Sequence, residues 1–456
     1  MTQTQNPDTS HPTTDAEPYP DPRYAWYMVG LLTVAYVFSF VDRYVLGLLV
    51  EPIKADLGLT DTQIGLLLGP AFAIFYATMG LPLGWLADRK RRTWIVGIGV
   101  AVWSAATAAS GLAKGFWHMF IARMCVGVGE ATLSPCAMSM ISDSFPPEKR
   151  GRPIAFYTAA LSLGAGIASL VSASVLIWAK SAPEIQLPLI GVVAPWQLTF
   201  FIVGLPGLGL AALFFVLKEP KRRGQAKPAA IGGAGGASLW DMLGYVGKRW
   251  AVFGAFLTIF CYMTIIAYSQ GWLAATFIRT YGWSAEQYAY VNAIVTLSIG
   301  PLAVNISGWL SDKYYKKGVE DAPLVIAIIG AIIILPTGAA APLMPTGPLA
   351  FFFLGLNTVG IAMVSATGVT ALLNITPREI RAQTVAFYFM CISLAGLLLG
   401  PTAVGLITDM VFGEENIRYS MALLPVLFGL PALALAPITR RNYNRELQRI
   451  KADGAP

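Results

Sequence analysis

Long apolar segments separated by short polar stretches fill most of the 456-residue chain. Because about 20 apolar residues form a helix that crosses a bilayer, each long segment predicts one transmembrane span. Twelve segments qualify, near residues 25–50, 62–87, 93–112, 116–141, 151–178, 196–217, 250–278, 286–311, 322–342, 348–374, 379–409 and 417–437. We number them spans one to twelve, and they predict an all-α integral membrane protein.

The polar stretches divide the chain into five regions. Residues 1–24 are polar and proline-rich, which predicts a disordered cytoplasmic tail and no cleaved signal peptide. The stretch between spans six and seven is basic and then rich in glycine and alanine, as is typical of a linker. We therefore expect a tail at 1–24, an N-terminal six-helix bundle at 25–217, a cytoplasmic linker at 218–249, a C-terminal six-helix bundle at 250–437 and a basic cytoplasmic tail at 438–456.

Lysine and arginine are distributed unevenly between the two sides of this arrangement. With both termini inside, 25 of the 32 basic residues fall in cytoplasmic regions and 5 fall outside. The cytoplasmic loops of membrane proteins carry an excess of these residues. We therefore expect a multi-pass protein of the plasma or inner membrane with both termini in the cytoplasm.

Composition narrows the functional classes. The chain is 12% charged, against about 25% in soluble domains, so its net charge of +7 reflects basic loops and not nucleic-acid binding. It has two histidines, and its four cysteines lie in apolar segments without a CxxC spacing: Cys125, Cys136, Cys261 and Cys391. We expect free thiols, no metal site and no cofactor, with protons as the coupling ion.

Two spans carry charged residues deep in apolar sequence. Asp42 and Arg43 lie in span one, while Arg123 and Glu130 lie seven residues apart on one face of span four. A charge at the membrane centre costs roughly 2.5–3.5 kcal/mol on insertion scales. At about 1.5 Å of rise per residue, Asp42 and Arg123 occupy the same depth and are expected to pair. Glu130 lies two turns deeper, without an obvious partner.

Short segments of the first half recur in the second. The copies are GWLADR and GWLSDK, 224 positions apart, and AFY at 155–157 and 386–388, 231 positions apart, with Pro146 and Arg150 matching Pro377 and Arg381. An even number of spans separates the copies, so the two halves share one topology. Such parallel repeats are related by an axis along the membrane normal.

The repeat also shows that the second half has no charged residues at the positions equivalent to these four. At these displacements Asp42 and Arg43 correspond to Ile266 and Ala267, Arg123 corresponds to Leu354, and Glu130 corresponds to Ile361. If the charges only braced the fold, the second half would need them as well. We therefore favour a functional role, with a structural ion-pair network as the alternative.

The sequence resembles a known family at several motifs. GWLADRK after span two is similar to the signature loop of the major facilitator superfamily, with Arg91 in place of the usual glycine. FVDRYVL in span one, ARMCVGVGEA in span four and FPPEKRGRPIAFY before span five resemble the spinster branch. This resemblance implies the major facilitator fold of two pseudo-symmetric six-helix halves, and a lysophospholipid or sphingoid-type lipid as substrate. Anion–cation symporters of the superfamily share the Asp-Arg of span one.

Secondary active transport by alternating access is the expected function. Glu130 and Asp42 are expected to carry protons, while Arg43 and Arg123 hold the carboxylates or bind an anionic head group. The loops with Asp88, Arg89, Asp312 and Lys313 are expected to gate the cytoplasmic side. The residues expected to line the cavity are Tyr36, Tyr157, Tyr262, Tyr268, Asn292, Asn357 and Tyr388.

Two other functions compete with lipid transport. A proton-coupled carrier of a small organic anion would suit the arginines equally well, and a non-transporting receptor is the less favoured alternative. An enzyme is not expected, because the sequence has no HExxH or GxSxG motif. The expected partners are a small amphiphilic or anionic substrate and the lipid bilayer, with no nucleic acid and a monomeric state.

Overall fold

A computed structural model describes residues 19–146, 149–181, 186–187, 191–222, 239–377 and 380–452 of the chain. Within these residues, twelve helical segments are long and apolar enough to cross a membrane. The prediction of an all-α membrane protein with twelve spans is therefore confirmed. Residues 1–18 of the tail predicted at 1–24, and residues 223–238 of the linker predicted at 218–249, lie outside the described residues.

The described residues of the N-terminal half form nine α-helices and one short hairpin. Span one is α1 (Pro22–Leu48), followed by α2 (Val50–Leu57); span two is α3 (Asp61–Leu68) and α4 (Pro70–Arg89); span three is α5 (Arg92–Ser110); span four is α6 (Phe116–Glu130) and α7 (Leu133–Ser144); span five is α8 (Gly151–Ser181); span six is α9 (Pro195–Val216). Strands β1 (Gln186–Leu187) and β2 (Gly191–Val192) pair antiparallel between spans five and six.

The C-terminal half begins with α10 (Leu239–Lys248). Span seven is α11 (Trp250–Ser269), a 3₁₀ turn (Gln270–Trp272) and α12 (Leu273–Tyr281); span eight is α13 (Ala285–Lys316); span nine is α14 (Ala322–Ala340) with a 3₁₀ turn (Ala341–Leu343); span ten is α15 (Gly347–Asn374); span eleven is α16 (Arg381–Ile407) with a π-helical turn (Thr408–Phe412); span twelve is a 3₁₀ turn (Glu414–Asn416) and α17 (Ile417–Ala452). The helix of span twelve thus continues into the region predicted as the basic tail.

An arginine caps the preceding helix in the same way in both halves. Arg150 Nε donates a hydrogen bond to the carbonyl oxygen of Phe145 at 2.7 Å. Arg381 Nε donates to the carbonyl oxygen of Thr376 at 3.0 Å. Both donors and both acceptors are 231 positions apart, so the internal repeat is structural as well as sequential.

Two glycine pairs follow the same displacement. A Cβ atom on Gly129 would lie 2.6 Å from the carbonyl oxygen of Gly99, and a Cβ atom on Gly360 would lie 2.8 Å from that of Gly330. Neither distance leaves room for a side chain. Spans three and four therefore cross backbone against backbone, and so do spans nine and ten, as small residues permit in membrane helices.

The two halves are packed together at one end of the bundle. We call the end that holds the start of α1 and the end of α17 the terminal end, and the other the opposite end. The apolar cluster at the opposite end combines both halves, from Val45 and Ile53 in the first to Phe277 and Met421 in the second. At the terminal end, each half has a cluster almost entirely its own. The halves meet mainly through spans two with eleven and five with eight.

Candidate functional site

Glycines of span four bring its backbone against the neighbouring spans. A Cβ atom on Gly127 would lie 2.5 Å from the carbonyl oxygen of Phe72 in span two, and Gly129 packs on Gly99 of span three. Immediately after these glycines, α6 ends at Glu130, and the Thr132 hydroxyl donates to the carbonyl oxygen of Gly129 at 2.8 Å. The close crossings and the helix break together position Glu130 between spans one, two and three.

Glu130 forms an ion pair with Arg43 of span one. Arg43 Nε donates to Oε2 of Glu130 at 2.7 Å, and Nη2 donates to the same oxygen. The Glu130 side chain is 1% exposed, and its other oxygen, Oε1, has no hydrogen-bond partner. Glu130, which has no obvious partner in the sequence, is therefore the carboxylate that forms an ion pair with an arginine.

The expected pair between the side chains of Asp42 and Arg123 is not formed. Arg123 Nη1 instead donates to the backbone carbonyl oxygen of Asp42 at 3.1 Å, while Asp42 Oδ1 and Arg123 Nε have no hydrogen-bond partner. The predicted depth is right, because the two residues do meet. Consecutive helical residues point about 100° apart, however, so Arg43 faces Glu130 and the Asp42 carboxylate lies beside Thr107 of span three.

Aromatic rings surround the Arg43 guanidinium. Its Cζ lies 4.4 Å from the ring centre of Phe72, 5.1 Å from that of Tyr76 and 5.8 Å from that of Phe40. The guanidinium of Arg123 lies 5.8 Å from the Phe72 ring, so this ring contacts both cations. Phe72 and Tyr76 cannot be recognised from the sequence, because aromatic residues four apart in an apolar span are typical of ordinary packing.

Three of the predicted tyrosines lie close to this ion pair. Tyr36 and Tyr157 stack, with ring centres 5.1 Å apart and an interplanar angle of 13°. Tyr268 comes from span seven of the other half, is 36% exposed and interacts electrostatically with Arg43. Tyr268 therefore places a polar group of the C-terminal half opposite the charges of the N-terminal half.

The other predicted cavity residues lie elsewhere. Asn357 is 1% exposed and donates to the Ile334 carbonyl at 3.1 Å within its own half. Tyr388 is 3% exposed and packs against Phe260 at 5.6 Å between ring centres. Tyr262 packs on Phe428, and Asn292 donates to Ser169 at 3.1 Å across the halves. These four side chains make contacts within the C-terminal half or between the halves, and their place in a transport cavity stays a prediction.

The predicted gating segments show matched contacts in the two halves. Arg89 lies 3.9 Å from the ring centre of Trp85, and Lys313 lies 4.5 Å from that of Trp309. Both tryptophans are more than half exposed, and in the described residues neither cation forms an ion pair. Asp312 is exposed, and the side chain of Asp88 lies outside the described part of the chain. Their gating role stays a prediction.

A buried arginine at the terminal end was missed. Arg92 is 1% exposed, and it binds Asp143 at the end of span four and Glu219 after span six, with Nε 2.7 Å from the Glu219 carboxylate. Burial opposes ionisation of Glu219, but hydrogen bonds from the Thr93 backbone and from Arg92 outweigh it and lower the pKa of this carboxyl. Nothing in the sequence distinguishes Arg92 from its neighbouring surface cations.

Charged residues also join the halves at the opposite end, in a cluster that we call the Asp61 lock: Asp61, Lys54, Glu51, Arg279 and Asp409. Asp61 begins span two and is 0% exposed. Arg279 of span seven donates to both of its oxygens, at 2.7 and 2.9 Å, and Lys54 Nζ lies 2.8 Å away. Arg279 also donates to Glu51 at 2.8 Å, yet burial raises the pKa of the Glu51 carboxyl.

Asp409 completes the lock by capping span two from the other half. Its carboxylate accepts hydrogen bonds from the backbone N–H of Asp61 at 3.2 Å, from that of Thr62 at 2.7 Å and from the Thr62 hydroxyl at 2.6 Å. A carboxylate at a helix N-terminus is stabilised by the unpaired N–H groups there. The π-helical turn of span eleven presents Asp409 in this position, and such turns are frequent at functional sites.

The protein has two six-helix repeats that are joined at one end, and a buried ion pair lies within the spans of the first repeat. This is the architecture of a membrane transporter. The family profile of the Major Facilitator Superfamily matches residues 32–400. The chain belongs to this superfamily.

Individual relatives share most of the chain. A bacterial homolog of the human lysosomal transporter Spinster, in an inward-facing and unoccupied conformation, superposes with a TM-score of 0.81 at 25% identity, covering 93% of this chain and 99% of that one. An MFS-type efflux pump of Mycolicibacterium smegmatis is 27% identical over 93% of this chain and 95% of its own. The hexuronate transporter of Bacillus subtilis is 24% identical, covering 84% and 87%. The resemblance to the spinster branch is thereby confirmed.

Proposed function

We propose that the protein is a proton-coupled secondary transporter that moves an amphiphilic lipid, such as a lysophospholipid or a sphingoid-type lipid, by alternating access. The observation that carries this proposal is the ion pair of Glu130 and Arg43 within the spans. A buried carboxylate that loses its cation leaves an uncompensated charge, which is strongly unfavourable. Proton uptake removes that charge, so any movement of Arg43 away from Glu130 is coupled to protonation.

The arrangement of charges supports an amphiphilic substrate. Arg43 is 23% exposed on its side chain and can leave Glu130 for an anionic head group, to which a guanidinium binds well. The positions of the second half that correspond to Arg123 and Glu130 hold Leu354 and Ile361, which offer no charge. The head group would bind the N-terminal half, and the hydrocarbon chain would lie against apolar side chains.

The packing of the halves supports alternating access. The Asp61 lock joins them at the opposite end, while at the terminal end each half has its own core. If both termini are in the cytoplasm, as we propose, the separate cores face the cytoplasm, which agrees with the superposition on an inward-facing Spinster homolog. The cycle then requires the lock to open while the terminal end closes.

Flux of a lysophospholipid in proteoliposomes under an imposed pH gradient tests the proposal. We expect Glu130→Gln to abolish gradient-driven flux and to retain substrate binding. The control is Glu446→Gln, because Glu446 is 6% exposed and is bound by Arg249 Nε at the same 2.7 Å, but at the terminal end. Undiminished gradient-driven flux in Glu130→Gln would remove Glu130 from the coupling step.

A small organic anion is the second candidate substrate. Arg123 is buried with its Nε donor unpaired, which favours an anion, and the hexuronate transporter is among the relatives. Competition in the same vesicles separates the two classes. Inhibition of lysophospholipid flux by excess lysophospholipid but not by a hexuronate supports the lipid, whereas hexuronate flux without lipid flux supports the anion.

A further inference from the structure

We propose that Trp103 and Thr107 of span three line a hydrated pocket through which protons pass between Asp42 and Glu130. This inference rests on the proposed proton coupling and adds a route to it. It assigns a relay role to the Thr107 hydroxyl and a positioning role to the Trp103 indole.

Four buried polar atoms without a hydrogen-bond partner belong to residues of this region: Asp42 Oδ1, Trp103 Nε1, Arg123 Nε and Glu130 Oε1. The Thr107 hydroxyl forms a hydrogen bond with the Asp42 carboxylate. None of the five residues is more than 3% exposed. A buried polar atom that makes no hydrogen bond costs about 1–3 kcal/mol. These four costs are explained most simply by ordered water that binds to the atoms.

Along the membrane normal, Thr107 and Trp103 of span three follow each other in the interval between the Asp42 and Glu130 carboxylates. Trp103 and Thr107 are four residues apart, so they lie on one face of α5, about one turn from each other. Thr107 lies beside the Asp42 carboxylate. The Trp103 backbone meets Gly129, the residue before Glu130, where an added Cβ would lie 2.8 Å from Trp103 N. The interval between Asp42 and Glu130 is therefore lined by Thr107 first and Trp103 next.

The chemistry of these four atoms and of the Thr107 hydroxyl suits a chain of water molecules. The indole and guanidinium N–H groups only donate, the carboxylate oxygens accept, and a hydroxyl does both. A protonated carboxyl at one end gives its proton to the adjacent water, each member of the chain passes one proton on, and the carboxylate at the other end accepts the last one. Thr107 can take part in this transfer, whereas Trp103 can only hold a water in place.

The second half lacks both groups. The glycine pairs fix the equivalence of the halves at 231 positions in these spans, and Trp103 and Thr107 then correspond to Ile334 and Gly338. The C-terminal half has neither an indole nor a hydroxyl at these two positions; the neighbouring Thr337 hydroxyl instead accepts a hydrogen bond from Asn357 of span ten at 3.2 Å. The indole and hydroxyl of span three are therefore not repeated at the equivalent positions of the second half.

Thr107→Val tests the relay, because valine has the shape of threonine without its hydroxyl. In proteoliposomes, we expect pH-gradient-driven flux to fall by about tenfold or more. Substrate exchange at equal pH, which needs no net proton movement, is expected to stay within about twofold, and Thr107→Ser is expected to restore gradient-driven flux. The control is Thr199→Val in span six, since Thr199 is 0% exposed and its hydroxyl already donates to Pro195 at 2.8 Å.

A second measurement uses the wild-type protein. Transfer through water predicts a larger solvent deuterium isotope effect on gradient-driven flux than on exchange. Equal isotope effects, or Thr107→Val with wild-type gradient-driven flux, would overturn the relay. If Glu130→Gln itself retains gradient-driven flux, the proposed coupling fails; if Glu130→Gln abolishes it and Thr107→Val does not diminish it, only the relay fails.

Discussion

Arg43 and Glu130, 87 positions apart in the sequence, form an ion pair in which two guanidinium nitrogens donate to a single carboxylate oxygen. The second carboxylate oxygen stays unpaired and buried. Only one of the two carboxylate oxygens of Glu130 therefore takes part in the ion pair. In the proposed cycle, a proton on Glu130 and an anion on Arg43 take the place of this pair.

Arg43→Lys keeps the positive charge but removes the planar group that stacks on Phe72 and the second hydrogen bond to Glu130. Hydrogen bonds to charged groups contribute about 1.5–3 kcal/mol, so we expect gradient-driven flux to fall roughly ten- to a hundredfold. Arg249→Lys is the matched control, because Arg249 also binds a glutamate through Nε and lies 3.7 Å from the ring centre of Tyr245. Equal flux in the two variants would contradict this role of Arg43.

Asp61→Asn is expected to open the opposite end. The substitution removes the charge that Arg279 and Lys54 share, and breaking a buried ion pair costs roughly 3–5 kcal/mol. Spin labels at the exposed Val192 and Glu415 report the separation of the halves at this end, in a variant without the native cysteines. We expect a new, longer distance population.

Asp321→Asn provides the control for the lock. Asp321 binds Arg440 at 2.6 Å, but within the C-terminal half and at the terminal end. Its loss is expected to leave the label distances unchanged. An unchanged distance distribution in Asp61→Asn would show that the lock does not hold the halves together.

Gly69→Ala is expected to act on the same equilibrium through packing. A Cβ atom at Gly69 would collide with the carbonyl oxygen of Leu397 in span eleven, and backbone cannot move aside cheaply. Gly80→Ala, in the same span, is the control because nothing lies within 4 Å of its added Cβ. We expect the longer label distance in Gly69→Ala only. The same short distance in both variants would mean that spans two and eleven can separate locally without opening the bundle.

Glu219→Gln tests the tie at the terminal end through its pH dependence. The pKa of Glu219 is lowered in the folded protein, so the carboxylate stabilises the fold above its unfolded pKa of about 4.3, and this contribution is lost as the pH falls through the lower, folded pKa. At pH 7 we expect a loss of about 1–3 kcal/mol, seen as a lower melting temperature in detergent. The difference from wild type should shrink below about pH 4.

Glu320→Gln is the control for that measurement, since Glu320 is 45% exposed on its side chain where it binds Lys451. Exposed ion pairs contribute little to stability, so its melting temperature should match wild type at both pH values. A difference between Glu219→Gln and wild type that does not change with pH would indicate that packing, and not the charge, supports this end.

The positions of the twelve spans could be predicted from the sequence because bilayer thickness fixes how many apolar residues a helix needs. The repeat was visible where turn and cap residues recur, as with Arg150 and Arg381, whose roles are set by local backbone geometry. The four buried charges stood out because each is costly in an apolar span. The order of residues along the chain therefore determined that this is a membrane protein and located its most unusual residues.

The partners of those charges were decided only by the tertiary structure. Depth in the membrane follows from the rise per residue, but the direction in which a side chain points depends on how each helix is rotated against its neighbours. Glycine contacts such as Gly127 with Phe72 and Gly129 with Gly99 set that rotation, and the sequence does not show which glycines meet. Arg43 therefore binds Glu130, while the Asp42 carboxylate lies beside Thr107 of span three. Apolar spacing cannot reveal these contacts, nor the contact of the Phe72 ring with both guanidinium groups.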